Sequence, residues 1–219
     1  MKKLPVAILC LLAFNGAIAQ TKKFTVSLLP AINKEINGIA VGLAVNSSHD
    51  VKFSRINGLC IELPGIGIIL PLVPSDPIFE EKDEFYLDPI KLDSAIKAFD
   101  KSVYKIHGVV VSPGGIAGHD VSVSGVNLSG ANTFTAKLNG FSIAILLNLN
   151  GVVNGVSIGV LNETMQTRGI QLGVFSVSKK IRGLQMGLFT KTLKLKGIQI
   201  GLWNINEKRK FPFFNWNFN

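Results

Sequence analysis

The residues able to do chemistry are few and scattered. There are three histidines, His49, His107 and His119, and none has a second histidine or a cysteine at metal-ligand spacing. No serine stands in a Gly-x-Ser-x-Gly elbow, so an activated hydrolase nucleophile is not signalled. Ser112-Pro113-Gly114-Gly115-Ile116-Ala117-Gly118 is glycine-rich but lacks the Lys-Ser/Thr and the following helix of a phosphate loop. Glu80, Glu81, Asp83 and Glu84 bring carboxylates together without the spacing or turn glycine of a calcium loop. Cys60, in Leu59-Cys60-Ile61, reads as a small buried apolar residue rather than a nucleophile. The reading is therefore of a protein that is not an enzyme, with no cofactor, catalytic or metal residues.

The elements around these residues say more. Met1-Lys2-Lys3, an apolar run from Leu4 to Phe14 and Ala17-Ile18-Ala19 form a basic end, a short apolar middle and a small-residue cleavage box. This pattern is a secretory signal peptide, expected over residues 1–19, and the run is too short for a membrane helix. Residues 20–219 then make one domain that keeps a single cysteine, so it must be stable without an internal disulfide. Export places it in the periplasm, the outer membrane or at the cell surface.

Repeats dominate the last third. Gly155-Val-Ser-Ile-Gly159, Gly169-Ile-Gln-Leu-Gly173, Gly183-Leu-Gln-Met-Gly187 and Gly197-Ile-Gln-Ile-Gly201 follow at a 14-residue period. Looser copies start at Gly140, Gly38 and Gly58, the first of them 15 residues before Gly155. Apolar and polar residues alternate within each unit, as in a half-buried strand, and paired glycines argue against helix. The first expectation is an all-β, β-solenoid-like stack of 14–15-residue units; the alternative is an up-and-down outer-membrane β-barrel. Turns of similar composition, and the extra residue in the Gly140 unit, favour the solenoid, because a bend absorbs an insertion that would invert a continuous strand. In that stack Ile170, Leu184 and Ile198 are expected to be core, the second glycine of each unit a bend, and Ser178-Lys179-Lys180 and Lys191-Thr192 exposed turns.

Residues 75–105 break the pattern. They hold eight of the fourteen acidic residues and read as an insertion, with a short helix capped by Asp93. A glycan-binding or enzymatic site in that insertion is a further alternative. Ile66 to Leu70 reads as a buried strand or packed loop. Residues 211–219 alternate aromatic and polar side chains at their end, as an aromatic cap or as the terminal strand of a barrel.

From Ile106 onward eleven Lys and Arg face Asp120, Glu163 and Glu207, a net of +8. Two readings stand side by side. The lysines keep an apolar repeat protein soluble, or Lys179, Lys180, Lys191, Lys194 and Lys208 line one stripe that attracts anionic lipid or polysaccharide of the envelope. Nucleic acid is disfavoured by export and by the lack of a basic–aromatic module; no protein partner is indicated.

Gly183-Leu-Gln-Met-Gly-Leu and Gly197-Ile-Gln-Ile-Gly-Leu-Trp-Asn resemble the tandem surface-repeat family of leptospiral and Bacteroidota envelope proteins. The ending from Asn204 to Phe218 is similar to how such chains finish. The resemblance covers residues 140–219 specifically, is weaker at Gly38 and Gly58, and is absent from 75–105. It implies an exported, surface or outer-membrane-associated protein with a structural or interaction role and no catalytic residues.

Overall fold

The computed structural model describes residues 24–45, 52–72 and 83–218. The signal-peptide segment, His49, Glu80 and Glu81 lie outside them. Eleven strands form one sheet in which each strand is hydrogen-bonded to the next in sequence. They are β1 (Thr25–Leu28), β2 (Glu35–Gly42), β3 (Ser54–Glu62), β4 (Tyr104–Ser112), β5 (Ala117–Ser129) and β6 (Asn132–Ala144). β7 (Leu147–Ile158), β8 (Leu161–Leu172), β9 (Phe175–Met186), β10 (Phe189–Ile205) and β11 (Lys210–Asn217) complete it.

All neighbours from β1 to β10 pair in parallel; β11 alone runs antiparallel to its neighbour. β7 ends at Ile158 and β8 begins at Leu161, so two residues join parallel strands. A straight twelve-residue strand spans about 40 Å, and a parallel return from its end needs a dozen or more residues. Two residues suffice only if each strand is itself bent round into a coil that ends one layer above its start. The fold is therefore a β-solenoid. An up-and-down barrel, whose neighbours are antiparallel, is excluded for the described strands.

Glycine stands on glycine through the stack: Gly38, Gly58, Gly108, Gly125, Gly140, Gly155, Gly169, Gly183 and Gly197 are successive ladder partners. Each has φ between +134° and +150°, a region that glycine alone occupies readily. A Cβ on Gly169 would collide with the carbonyl oxygen of Gly155 one coil below, and the same holds at each later layer. Gly108 and Gly125 belong to this column as well; their units were not recognisable as repeats in the sequence. The second glycines mark corners, where β7, β8 and β9 end and two residues turn the chain. The extra residue of the Gly140 unit sits at the same corner: Ile143 pairs with Ile158, and Leu147 pairs with Leu161, so the surplus lies between them and the ladder continues undisturbed.

The interior is the reverse of what alternation suggested. Ile170, Leu184 and Ile198 are only partly buried and point out of the coil, whereas Gln171, Gln185 and Gln199 are fully buried within it. Burying an amide is costly unless its hydrogen bonds are met, and the stack meets them. Gln185 Nε2 donates to Gln171 Oε1 at 3.0 Å and to the Ser176 carbonyl at 3.0 Å, and Gln185 Oε1 accepts from Gln199 Nε2 at 2.8 Å. Asn215 Nδ2 of β11 donates to Gln199 Oε1 and ends the ladder. The same column is apolar in the early coils, with Ala40, Cys60 and Val110, then Asn127, Ser142 and Ser157 before the glutamines. A second inward column, from Ile36, Ile56 and Ile106 through Leu138 and Val153 to Ile181 and Leu195, is apolar apart from the buried Thr167 and supplies core along the stack.

The lysine-rich segments are strand, not exposed turn. Ser178, Lys179 and Lys180 lie within β9 and Lys191 and Thr192 within β10; Ser178, Lys179 and Thr192 are buried. The ladder passes from Ser178–Thr192 to Lys180–Lys194, skipping Lys179 at a corner.

The insertion contains two helices, α1 (Asp83–Leu87) and α2 (Pro89–Ala98). Asp88, not Asp93, caps α2: its carboxylate accepts from the Ile90 N–H at 2.8 Å, and Pro89 occupies the first turn, where no N–H is needed. Asp93 lies inside the helix. Tyr86, Leu92, Ile96 and Phe99 pack onto Ala136, Val152 and Met165, so the helices cover the corner of the coils and form a second small core. Ile66–Leu72 is a 3-10 helix rather than a strand.

Candidate interaction surface

The five lysines singled out in the sequence do not form one stripe. Lys180 and Lys194 are ladder partners, Lys191 faces Val177, Lys179 occupies a corner and Lys208 follows β10. Most are engaged within the chain. Lys179 Nζ, almost wholly buried, lies 2.9 Å from Asp83 and 4.0 Å from Glu163, over the Tyr86 ring. Lys191 pairs with the other Asp83 oxygen, Lys180 lies 3.0 Å from Asp93, and Lys208 donates to Asn217 Oδ1 at 2.9 Å. Partial burial pushes the Asp83 carboxyl up, but the bonds from Lys191 and Lys179 outweigh it and hold it below the ordinary range. Asp83 and Asp93 of the acidic insertion are thus the anions that Lys179, Lys191 and Lys180 meet. Asp83 and Asp93 are thereby paired, Glu80 and Glu81 lie outside the described residues, and among the described residues no three His, Cys, Asp or Glu side chains converge as a metal site.

Cys60 and Glu62 are buried in the early coils. Burial, then the Glu62 charge, pushes the Cys60 thiol up to about 12, so it is an inert thiol rather than a nucleophile. Burial raises Glu62 to about 7, against bonds from the Val45 N–H at 2.7 Å and the Ser112 hydroxyl.

The coils also carry an extended apolar face. Two outward columns follow the glycine column on the same side of the solenoid. One step after the glycine stand Ile39, Leu59, Val109, Val126, Phe141, Val156, Ile170, Leu184 and Ile198, with Trp216 of β11 opposite Ile198. Three steps after it stand Val41, Ile61, Val111, Leu128, Ile143, Ile158, Leu172, Met186 and Ile200, with Phe214 opposite Ile200. No outward position in either column is polar. Ladder neighbours cover the flanks of each side chain, so most are half-buried, yet Val111, Leu128, Ile200 and Phe214 remain exposed. Ten strands about 4.8 Å apart make this face about 45 Å long and, at about 10 Å across, roughly 450 Å² in area. Val160, Phe175, Leu188, Phe189, Leu202 and Trp203 extend it round the corner, all exposed. Largest apolar patches on monomeric proteins run about 300–600 Å² and are commonly functional.

The residue before each glycine borders this face. It is polar in the early coils and cationic in the last three, where Arg168, Arg182 and Lys196 are ladder partners. Beside them Lys180, Arg182, Lys194, Lys196 and Glu207 wall an open cavity of about 280 Å³. The alternation in each unit could have revealed the face, because every polar member of that alternation is an amide or hydroxyl able to hydrogen-bond to its own copies.

Neither a family model, nor a curated protein, nor a solved structure matches this chain. No described helix is long and apolar enough to cross a membrane.

Proposed function

We propose that the chain is an exported, non-catalytic interaction scaffold of the cell envelope whose working surface is the apolar face of the solenoid. The observation that carries the reading is the unbroken run of apolar residues at every outward position of two columns from β2 to β10. A fold that needed these residues only for its own core would turn them inward; here the coil is filled by hydrogen-bonded amides and a separate apolar column. The face therefore has a use outside the fold. The basic, apolar and Ala-x-Ala segments over residues 1–19 and the resemblance to envelope surface-repeat proteins support the compartment.

The test is expression in a bacterial host followed by fractionation and mass analysis. The expected product begins at Gln20, sediments with envelope membranes and is released by carbonate without detergent. The doubly substituted Leu184→Gln, Ile198→Gln chain is expected in the soluble fraction while keeping its β circular dichroism. A chain retained in the cytoplasm with its first residues intact would overturn the compartment. Unchanged membrane association of the double variant would overturn the role of the face.

A further inference from the structure

We infer that the apolar face lies flat on an anionic lipid leaflet, with Arg168, Arg182 and Lys196 at the headgroups. This rests on the reading of the face as the working surface and names its occupant. The first support is charge. Neither apolar column contains a carboxylate, and the bordering column is cationic in the last three coils, with Glu207 the one carboxylate in the wall of the adjoining cavity. Outward columns lie two residues apart, so these cations project about 7 Å from Ile170, Leu184 and Ile198. The 280 Å³ cavity walled by Lys180, Arg182, Lys194, Lys196 and Glu207, four cations against one carboxylate, is a net cationic recess at the same edge.

The second support is the distribution of aromatics. Trp203 and Trp216, the only tryptophans of the chain, are both on this face or its corner and both 44% exposed. Phe211, Phe213 and Phe214 are exposed beside them on β11. Indole rings favour the boundary between headgroups and acyl chains, so the last coils would anchor the sheet at that depth. A second copy of the chain fits less well. It would juxtapose two bodies each carrying a formal +7, two below the +9 of the full chain once Lys2 and Lys3 are lost with residues 1–19, whereas an anionic leaflet neutralises that charge.

The experiment uses the two tryptophans as native probes. The purified chain is mixed with vesicles of equal parts phosphatidylglycerol and phosphatidylcholine, or of phosphatidylcholine alone, with and without brominated acyl chains. Expected are a blue shift and bromine quenching on the anionic vesicles, with at least a tenfold weaker association on neutral ones. Arg168→Gln, Arg182→Gln, Lys196→Gln together should weaken association about tenfold, and Leu184→Gln, Ile198→Gln should abolish quenching with circular dichroism unchanged. Absence of quenching with the unsubstituted chain overturns the proposal whatever the variants do. So does a discrete dimer in light scattering that anionic vesicles leave intact. If vesicles fail but the Leu184→Gln, Ile198→Gln chain still loses envelope association in cells, the lipid assignment falls and the scaffold reading stands.

Discussion

Leu184 and Gln185 are adjacent, and truncating each to alanine should give costs opposite in order to their hydropathies. Gln185 is fully buried. Removing its amide leaves Gln171 Oε1 without its donor at 3.0 Å, strips Gln199 Nε2 of its acceptor at 2.8 Å and takes a donor from the Ser176 carbonyl. A buried polar group left unpaired costs about 1–3 kcal/mol; Gln171 Oε1 loses its donor and one Gln199 Nε2 hydrogen loses its acceptor, the other staying on the Ile205 carbonyl, so with the lost side-chain packing Gln185→Ala should cost about 3–5 kcal/mol. Leu184 is outward and flanked by Ile170 and Ile198. Its truncation forfeits on the order of 50 Å² of buried apolar surface, or about 1 kcal/mol at roughly 25 cal/mol per Å². The assay is urea unfolding followed by far-ultraviolet circular dichroism, which reports the whole sheet. A difference of at least about 2 kcal/mol in favour of Gln185 is expected from these two ranges. An equal or larger loss for Leu184→Ala would refute the inside-out coil.

Other expectations follow from single residues. Glu62 has a carboxyl raised from 4.5 to about 7 by burial, so the folded state holds its proton longer than the unfolded chain does. Its contribution is complete below the unfolded value and is lost as pH rises through 7; Glu62→Gln should remove about 3 kcal/mol of that dependence, and parallel stability curves for the two proteins between pH 5 and 8 would contradict it. The Asp83 carboxyl is depressed, so the docking of α1 and α2 through Lys179 and Lys191 should persist above the ordinary carboxylate range and weaken as pH falls. Asp83→Asn should speed limited proteolysis within the helices while leaving β4 to β11 protected; identical cleavage patterns would count against the ion pairs as the clamp. Gly169→Ala should cost more than about 4 kcal/mol, because a strained φ and a clash with the Gly155 carbonyl coincide; a folded, soluble Gly169→Ala chain of normal stability would contradict the glycine stack.

The stack itself was legible because glycine spacing is a backbone requirement: only a coil that returns after one repeat sets Gly155, Gly169, Gly183 and Gly197 on one another. The corner that absorbs the extra residue of the Gly140 unit was legible for the same reason. Which side faced inward was not, since alternation defines two faces and leaves their assignment to hydropathy. Hydropathy fails where Gln171, Gln185 and Gln199 satisfy one another along the stack. Lys179 and Lys191 read as turn residues because their partner, Asp83, is far away in sequence. The start of α2 is readable from Asp88-Pro89, a cap followed by proline, whereas Asp93 resembles a cap only in that apolar residues follow it. The Gly108 and Gly125 units do not stand out as repeats in the sequence because the insertion and a longer coil displace them from the regular period.

Collision measurements on spin labels placed singly at positions 198, 199 and 200 bear most directly on a coil that is polar within and apolar toward lipid. On phosphatidylglycerol vesicles, labels replacing Ile198 and Ile200 should be accessible to oxygen dissolved in the acyl region and shielded from a water-soluble nickel reagent. A label replacing Gln199 should be reached by neither, or should unfold the last coil. The opposite phase, with position 199 exposed to lipid and 198 and 200 enclosed, would contradict the account, as would equal access of the nickel reagent to 198 and 200 with and without vesicles.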